Sequence, residues 1–407
     1  MSATRRAWLV VFSGLGVNLT LGVLYSWGII SAALIDDFKW TATQTQIPYM
    51  IASAVFAFNM IPGGRLQDKL GPRLVLIASS ILAGAGFILS GFNLTVTGLT
   101  FFFGIIFGLA IGFGYASPTP AAVKWFHPDH RGLISGIVVS GFGLAPVYIA
   151  PLTSSLISSY GLKTTMIIMG VVFFSVVFSL SFVIKNPPAD FEKIKLKKKP
   201  KKKHKTTTKD YNIREVLRTP QFYMLWTMFF FGTFAGLLII GQMSKIGQEQ
   251  ASISNGFLLV VVYAIFNFLG RVTWGTISDY LGRTFTLFTM FAIQAIVYFS
   301  FSALTNPFSL LIGKSLVGFT FGGMLAIFPV VTADFFGLKN LGLNYGLMIT
   351  AWGVGGILGP LLGGLTRDVT GGYEISYLIS AILGVAGALI SLFVKHPETK
   401  EAETKKS

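Results

Sequence analysis

The chain has 407 residues, of which 53% are hydrophobic, 14% aromatic and only 12% charged. A soluble globular protein carries roughly a quarter charged residues, so this composition excludes an ordinary water-soluble domain and predicts an integral, polytopic membrane protein. The absence of cysteine excludes disulfides, thiolate metal sites and cysteine nucleophiles. The net charge of +16 is gathered in one linker and in short loops, a distribution that fits a membrane protein and not a nucleic-acid binder.

Apolar runs long enough to cross ~30 Å of hydrocarbon recur along the whole sequence. In the first half they fall at 8–34, 46–64, 74–92, 97–122, 132–158 and 163–184. In the second half they fall at 221–243, 253–277, 285–304, 307–333, 342–365 and 375–394. Only helices are expected, because a backbone exposed to lipid must satisfy its own hydrogen bonds. The fold class predicted is therefore an all-α membrane protein with twelve transmembrane helices. The first run has the positive start of a signal peptide, but it is long and lacks a small-x-small cleavage site, so it reads as a retained span.

The charges orient these spans. With the N-terminus inside, the inside segments hold Arg5, Arg6, Arg65, Lys69, Arg73, Lys124, Arg131, Arg283, Lys339 and Lys395, and the linker adds ten lysines from Lys193 to Lys209. Outside loops carry only Lys39, Lys163, Lys245 and Arg367. Both termini are expected in the cytoplasm of a cell with an inner membrane. The run "KIKLKKKPKKKHKTTTK" reads as a solvated cytoplasmic linker, with anionic lipid headgroups as an alternative ligand. His127, His130, His204 and His396 all fall in loops or the tail, so no metal site is expected.

Two halves resemble each other. "GRLQDKLGPR" from Gly64 to Arg73 recurs as "GTISDYLGR" from Gly275 to Arg283, and "FHPDHRGLISG…GFG" is echoed by "FGLKNLGLNYG…AWG" about 210 residues later. A duplication of six helices around a charged linker predicts two bundles facing a central cavity. The expected division is 1–185 for an N-terminal bundle, 186–218 for a basic linker, 219–396 for a C-terminal bundle and 397–407 for a tail.

The repeated motif, Gly64, Asp68, Lys69 and Arg73 with its echo Gly275, Asp279 and Arg283, resembles the loop motif of the major facilitator superfamily. "GVLYSW", "KWFHPDHRGLISGI", "RTPQFYMLWTMFF" and "NYGLMITAWGVGGILGP" are similar to its oxalate:formate antiporter and monocarboxylate transporter branch, bacterial lactate carriers included. The resemblance implies the major facilitator fold, its two bundles related by a pseudo-two-fold axis, and alternating access. In chemical terms the motif's glycines let helix ends approach, and its aspartates pair with a basic residue or cap a helix, as gate elements.

"FNFLGRVTWG" poses the central problem. Arg271 has no Asp or Glu within seven residues on either side, and it lies eight residues before Asp279, ~12 Å into the membrane. A guanidinium at that depth is costly when dry and cannot escape by losing a proton. With no acidic residue central in any span, the expected partner is a substrate carboxylate held in bidentate geometry. Asn267, one turn earlier, shares its helix face and orients the guanidinium or bonds a substrate oxygen.

The remaining candidate wall is small, aromatic and apolar. Tyr115 offers a hydroxyl. Asn18 and Tyr25 share a face of the first helix with Gly22, beside Leu24. Phe321 and Phe328 on the tenth span and Trp352 on the eleventh form the opposite side. Gly141, Gly143, Gly353, Gly355 and Gly356 are read as permitting close helix approach. Lys314 lies about seven residues from the outer end of its span and is expected to snorkel to the interface, an outer-vestibule role being the alternative.

The family resemblance also implies departures. Where the oxalate:formate antiporter carries a second basic residue on the eleventh helix, this sequence has Trp352, which favours monoanions. Where animal monocarboxylate transporters carry an aspartate before the arginine and a lysine on the first helix, it has Asn267 and Ile29, so their proton relay is not reproduced. The expected function is proton-coupled symport of a small monocarboxylate such as lactate or pyruvate. The substrate and protons are the expected partners, with the lipid bilayer, and no nucleic acid, cofactor or second protomer. Anion exchange of the oxalate:formate type is the alternative, and a non-transporting membrane sensor is the alternative of another class. An enzyme is not expected, because no nucleophile–base pair or phosphate-cradling loop stands out.

Overall fold

The computed structural model describes residues 3–126, 131–188, 194, 209–337, 340–395 and 397, with backbone alone for residues 3, 68, 131–133, 276, 279, 280, 341 and 342. The helices of the N-terminal half are α1 (Thr4–Phe38), α2 (Ala42–Leu70), α3 (Pro72–Phe92), α4 (Val96–Val123), α5 (131–160) and α6 (162–181). Those of the C-terminal half are α7 (Pro220–Ala251), α8 (Gly256–Leu281), α9 (Arg283–Ser300), α10 (Pro307–Phe336), α11 (Leu343–Thr370) and α12 (Glu374–Phe393). Among the described residues eleven apolar helical runs have the length of a span, and the longest, Ile134–Ser181, is divided at Gly161, where φ is +73°. Divided there, the runs match in number the twelve spans expected from hydropathy. Among the described residues the one strand-like pairing is a bridge between Phe126 and Ile194.

The repeated motif folds the same way twice. Gly71 (φ +81°) and Gly282 (φ +90°) each end one helix and begin the next, α2 to α3 and α8 to α9. A left-handed φ is why glycine stands there in both copies. Gly64 and Gly275 were expected to allow close approach, yet a Cβ at either would meet nothing within 4 Å. The glycine requirement of the motif is thus a turn requirement. Arg73 lies over the ring of Phe182, 4.3 Å from its centroid. Arg283 donates from Nε to Asp334 Oδ2 of α10 at 2.9 Å and from Nη1 to Ser278 Oγ of α8 at 2.5 Å, tying three C-terminal helices together. Lys69 is exposed. The side chains of Asp68 and Asp279, residues 195–208 of the lysine run and the tail after residue 397 lie outside the described residues.

Two helices depart from regular α geometry. α1 tightens into a 3₁₀ turn over Gly22–Ser26, and α4 carries a π-helical stretch over Thr100–Phe107. The cause in α1 is close packing on α5: a Cβ on Gly22 would lie 2.6 Å from the Phe142 carbonyl oxygen and against Ala145 Cβ. Tight or loosened turns of this kind, well inside a helix, mark places where side chains are re-aimed.

At the end of the molecule opposite both termini, here called the distal end, the two bundles are fastened together. Asp368 at the end of α11 accepts from the Ala42 and Thr43 backbone N–H groups of α2, both at 2.9 Å. Lys245 of α7 pairs with Asp36 of α1. Gln46 Nε2 donates to the Gly241 carbonyl at 3.3 Å. α7 runs two turns beyond the expected end at 243, which is what buries Lys245 and brings it to Asp36.

Candidate functional site

The site forms where α8 meets α5 across the bundle interface. Arg271 and Asn267 sit one turn apart on α8, and Arg271 Nε donates to Asn267 Oδ1 at 3.0 Å. Arg271 Nη1 makes one long contact, 3.4 Å, with the Val139 carbonyl of α5. Among the described residues no carboxylate pairs with this guanidinium. Neither lipid nor a cage of carbonyls takes its place: Val272 beside it is 56% exposed while Asn267 is fully buried, so the Asn267–Arg271 face turns inward.

Gly143 makes this contact possible. A Cβ there would stand 2.9 Å from Asn267 Oδ1 and 3.2 Å from Arg271 Nε, so the missing side chain is the space the guanidinium occupies. Asn18 braces the same helix from behind, with Nδ2 donating to the Val138 carbonyl at 2.8 Å. The amide Nδ2 of Asn267, the Oδ1 of Asn18 and the indole Nε1 of Trp352 are buried without partners. An unpaired buried donor costs ~1–3 kcal/mol, which a ligand oxygen can recover.

Aromatic rings close the rest of the space. The hydroxyls of Tyr25 and Tyr115 both face Arg271, and Tyr25 also faces the Trp352 indole. Phe142 sits edge-on to both tyrosines, with centroids 5.0 Å from Tyr25 and 5.4 Å from Tyr115. Phe56 contacts Tyr115 at 5.4 Å and Trp352 at 5.1 Å, joining α2 to α11. Phe321 of α10 reaches Tyr25 at 6.0 Å from the other bundle. Leu24, in the 3₁₀ turn beside Tyr25, is fully buried.

Of the residues singled out in the sequence, Arg271, Asn267, Tyr25, Tyr115, Trp352 and Phe321 thus fall in one cluster, with Leu24 beside it. Asn18 acts one layer back, through α5. Phe328 stacks on Phe229 at 4.2 Å inside the C-terminal bundle, apart from the cluster. Phe56, Phe142, the Val139 carbonyl and Tyr345, which shares an electrostatic neighbourhood with Tyr115, Tyr25 and Arg271, were not singled out. In a chain with 38 phenylalanines, a ring in the sequence carries no mark of the bundle it faces. Lys314 does not snorkel. It is fully buried, and its Nζ donates to the Met243 carbonyl of α7 at 2.8 Å.

Chemically, the cluster is a fixed cation with two hydroxyls, an amide and an indole around it. It can bind a small anion bearing a carboxylate and one further polar group, and it offers no nucleophile with a base beside it.

The sequence matches the family model of the Major Facilitator Superfamily over residues 8–310 and again over 246–407. It is 30% identical to the oxalate:formate antiporter of Oxalobacter formigenes over 393 residues, 96% of this chain and 91% of the antiporter. It is 29% identical over 357 residues to YhjX, an uncharacterized MFS-type transporter of Escherichia coli strain K12, covering 87% of this chain and 86% of that one. Monocarboxylate transporter 13 of Bos taurus is 25% identical over 401 residues, covering 96% and 89%. These relatives are carriers and not enzymes. The chain belongs to the Major Facilitator Superfamily and is a multi-pass membrane transporter of that type.

Proposed function

We propose that this transporter carries small monocarboxylates, with L-lactate and pyruvate as the reference substrates, by proton-coupled symport through alternating access. The observation that carries the proposal is the Arg271 guanidinium, held inward by Asn267 but matched by no carboxylate among the described residues. The incoming carboxylate replaces the long Val139 contact with a bidentate pair, and Tyr115, Tyr25 or the Asn267 amide takes the 2-hydroxyl or 2-oxo oxygen. The ring cluster limits the length of the acid. Trp352 is a neutral neighbour of the site, so one positive charge there favours a monoanion over a dianion.

The charge asymmetry of the loops supports an inner-membrane orientation with both termini cytoplasmic, which makes the distal end the outer face. The chain acts as a monomer, with one pathway between its two bundles. The 30% identity to an oxalate:formate antiporter supports a second reading, exchange of one anion for another.

Uptake of radiolabelled L-lactate into proteoliposomes under an imposed pH gradient, with acetate, pyruvate, formate and oxalate as competitors, tests the proposal. Accumulation driven by an acid exterior is expected, with pyruvate competing well and oxalate poorly. Uptake that needs a trapped anion and ignores the gradient supports exchange instead. No movement of any of these acids, despite binding, supports a sensor.

A further inference from the structure

Lys314 is a buried lysine that the substrate site does not use. It is fully buried in α10, and among the described residues its hydrogen-bond acceptor is Met243 O of α7, at 2.8 Å. A lysine amine and a lysine ammonium can both make that single donation, but they differ in what burial does to them. An ammonium with one neutral acceptor loses most of its hydration and gains no anion in return, whereas an amine loses little. Arginine has no such choice, because it keeps its proton in any protein environment. Lysine can change state, and this one sits where the state matters.

Among the described residues, the groups on the packed elements leave the site without a counter-charge. On α7, Lys245 is taken up by Asp36 and Glu249 by Arg367. On α8 the facing titratable group is Tyr263, packed against Gly318 one turn from Lys314, with its hydroxyl buried and without a partner. On α9, Tyr298 donates to the Ala235 carbonyl at 2.5 Å, and Arg283 lies at the far end with Asp334 of α10. On α12, Tyr377 donates to Gln250 at 3.0 Å. Among the described residues no carboxylate bonds to the lysine, and the uncharged titratable groups buried on these helices are tyrosines. Tyr263 in turn lies one turn from Asn267 on α8, so Lys314 packs near the helix that carries the substrate arginine.

We propose that Lys314 is the group that carries the coupling proton, and this rests on the reading of the protein as a proton-linked carrier. When the distal face opens, water reaches Nζ and the amine takes one proton from it. When that face closes around a bound carboxylate, ammonium and anion are enclosed together, the proton offsets the anion, and the interior keeps the single net charge of Arg271 that it has when empty. When the opposite face opens, the anion leaves Arg271, the ammonium returns its proton to water on that side, and the empty transporter closes again over a neutral amine. One proton and one monoanion cross per cycle, and no bond to carbon changes. The fastened distal end and dry lysine described above correspond to the last of these states.

Two assays on the same reconstituted protein test this. One is accumulation of radiolabelled L-lactate driven by an acid exterior; the other is lactate–lactate exchange at equal pH, which needs no proton to leave the carrier. Lys314→Met keeps the buried stem and removes the titratable head. It is expected to hold exchange within about twofold of wild type while gradient-driven accumulation falls at least tenfold. Lys314→Arg, permanently charged, is expected to lose accumulation as well. Accumulation by Lys314→Met equal to wild type overturns the proposal. So does loss of exchange in both Lys314→Met and Lys314→Gln, or failure of both to fold, since either result assigns the lysine to structure. If wild type itself exchanges lactate but never accumulates it under the gradient, the symport reading fails first, and that outcome is visible before any variant is made.

Discussion

Arg271 concentrates the chemistry because a guanidinium cannot be neutralised and, among the described residues, has only neutral neighbours: the Asn267 amide, a long contact to the Val139 carbonyl and two facing tyrosine hydroxyls. A charge-assisted bond is worth ~1.5–3 kcal/mol, and a bidentate pair makes two of them. Arg271→Ala is therefore expected to abolish lactate uptake with its melting temperature in detergent close to wild type; retained uptake in the folded variant counts against the site. Arg271→Lys keeps the charge but not the planar fork, and uptake at limiting substrate is expected to drop about tenfold or more. Gly143 gives a second test at this scale. Gly143→Ala places a methyl 2.9 Å from Asn267 Oδ1 and 3.2 Å from Arg271 Nε, so the guanidinium must move. The expected result is a raised KM for lactate with little change in thermal stability, and an unchanged KM would show that the arginine's position is unimportant.

The helices were legible in the sequence where their cause is local. Length and hydropathy set the crossings, and the break at Gly161 falls between the two runs read as 132–158 and 163–184. The pair Asn267 and Arg271 was legible for the same reason, since a four-residue spacing fixes their contact on one helix. What stayed hidden depends on the other bundle or on neighbouring helices. The 3₁₀ turn in α1 follows from its approach to Phe142 and Ala145 in α5, and Phe56 and Phe142 enter the site through contacts made across helices. Lys314 was misplaced because the face of α10 that turns to α7 is fixed by packing between helices: its acceptor is the Met243 carbonyl, not the membrane interface. The α1 turn makes a prediction at this scale. Overpacking of a tight interior costs ~1–3 kcal/mol, so Gly22→Val is expected to lower the melting temperature by several degrees and reduce uptake; a melting curve matching wild type would mean that α1 and α5 separate at no cost.

At the scale of the whole molecule, the bundles meet in a form closed at the distal end, where the Asp368 carboxylate caps the start of α2 and Asp36 holds Lys245. Losing a helix cap costs ~1 kcal/mol, about a fivefold shift in the population open on that side. The cysteine-free sequence allows this to be read directly. Ser53, buried against Gly356 of α11, becomes a reporter in Ser53→Cys. Adding Asp368→Ala is expected to speed its labelling by a membrane-impermeant thiol reagent about fivefold, and unaltered labelling would remove Asp368 from the closure. On the proposed alternating access, whatever binds between the bundles is released by the same rearrangement that frees these contacts. The most direct measurement of the central claim is equilibrium binding of L-lactate to purified protein, wild type beside Arg271→Ala, by calorimetry. Saturable binding to wild type that vanishes in the folded variant is the predicted result, and equal affinity in the two proteins would contradict it.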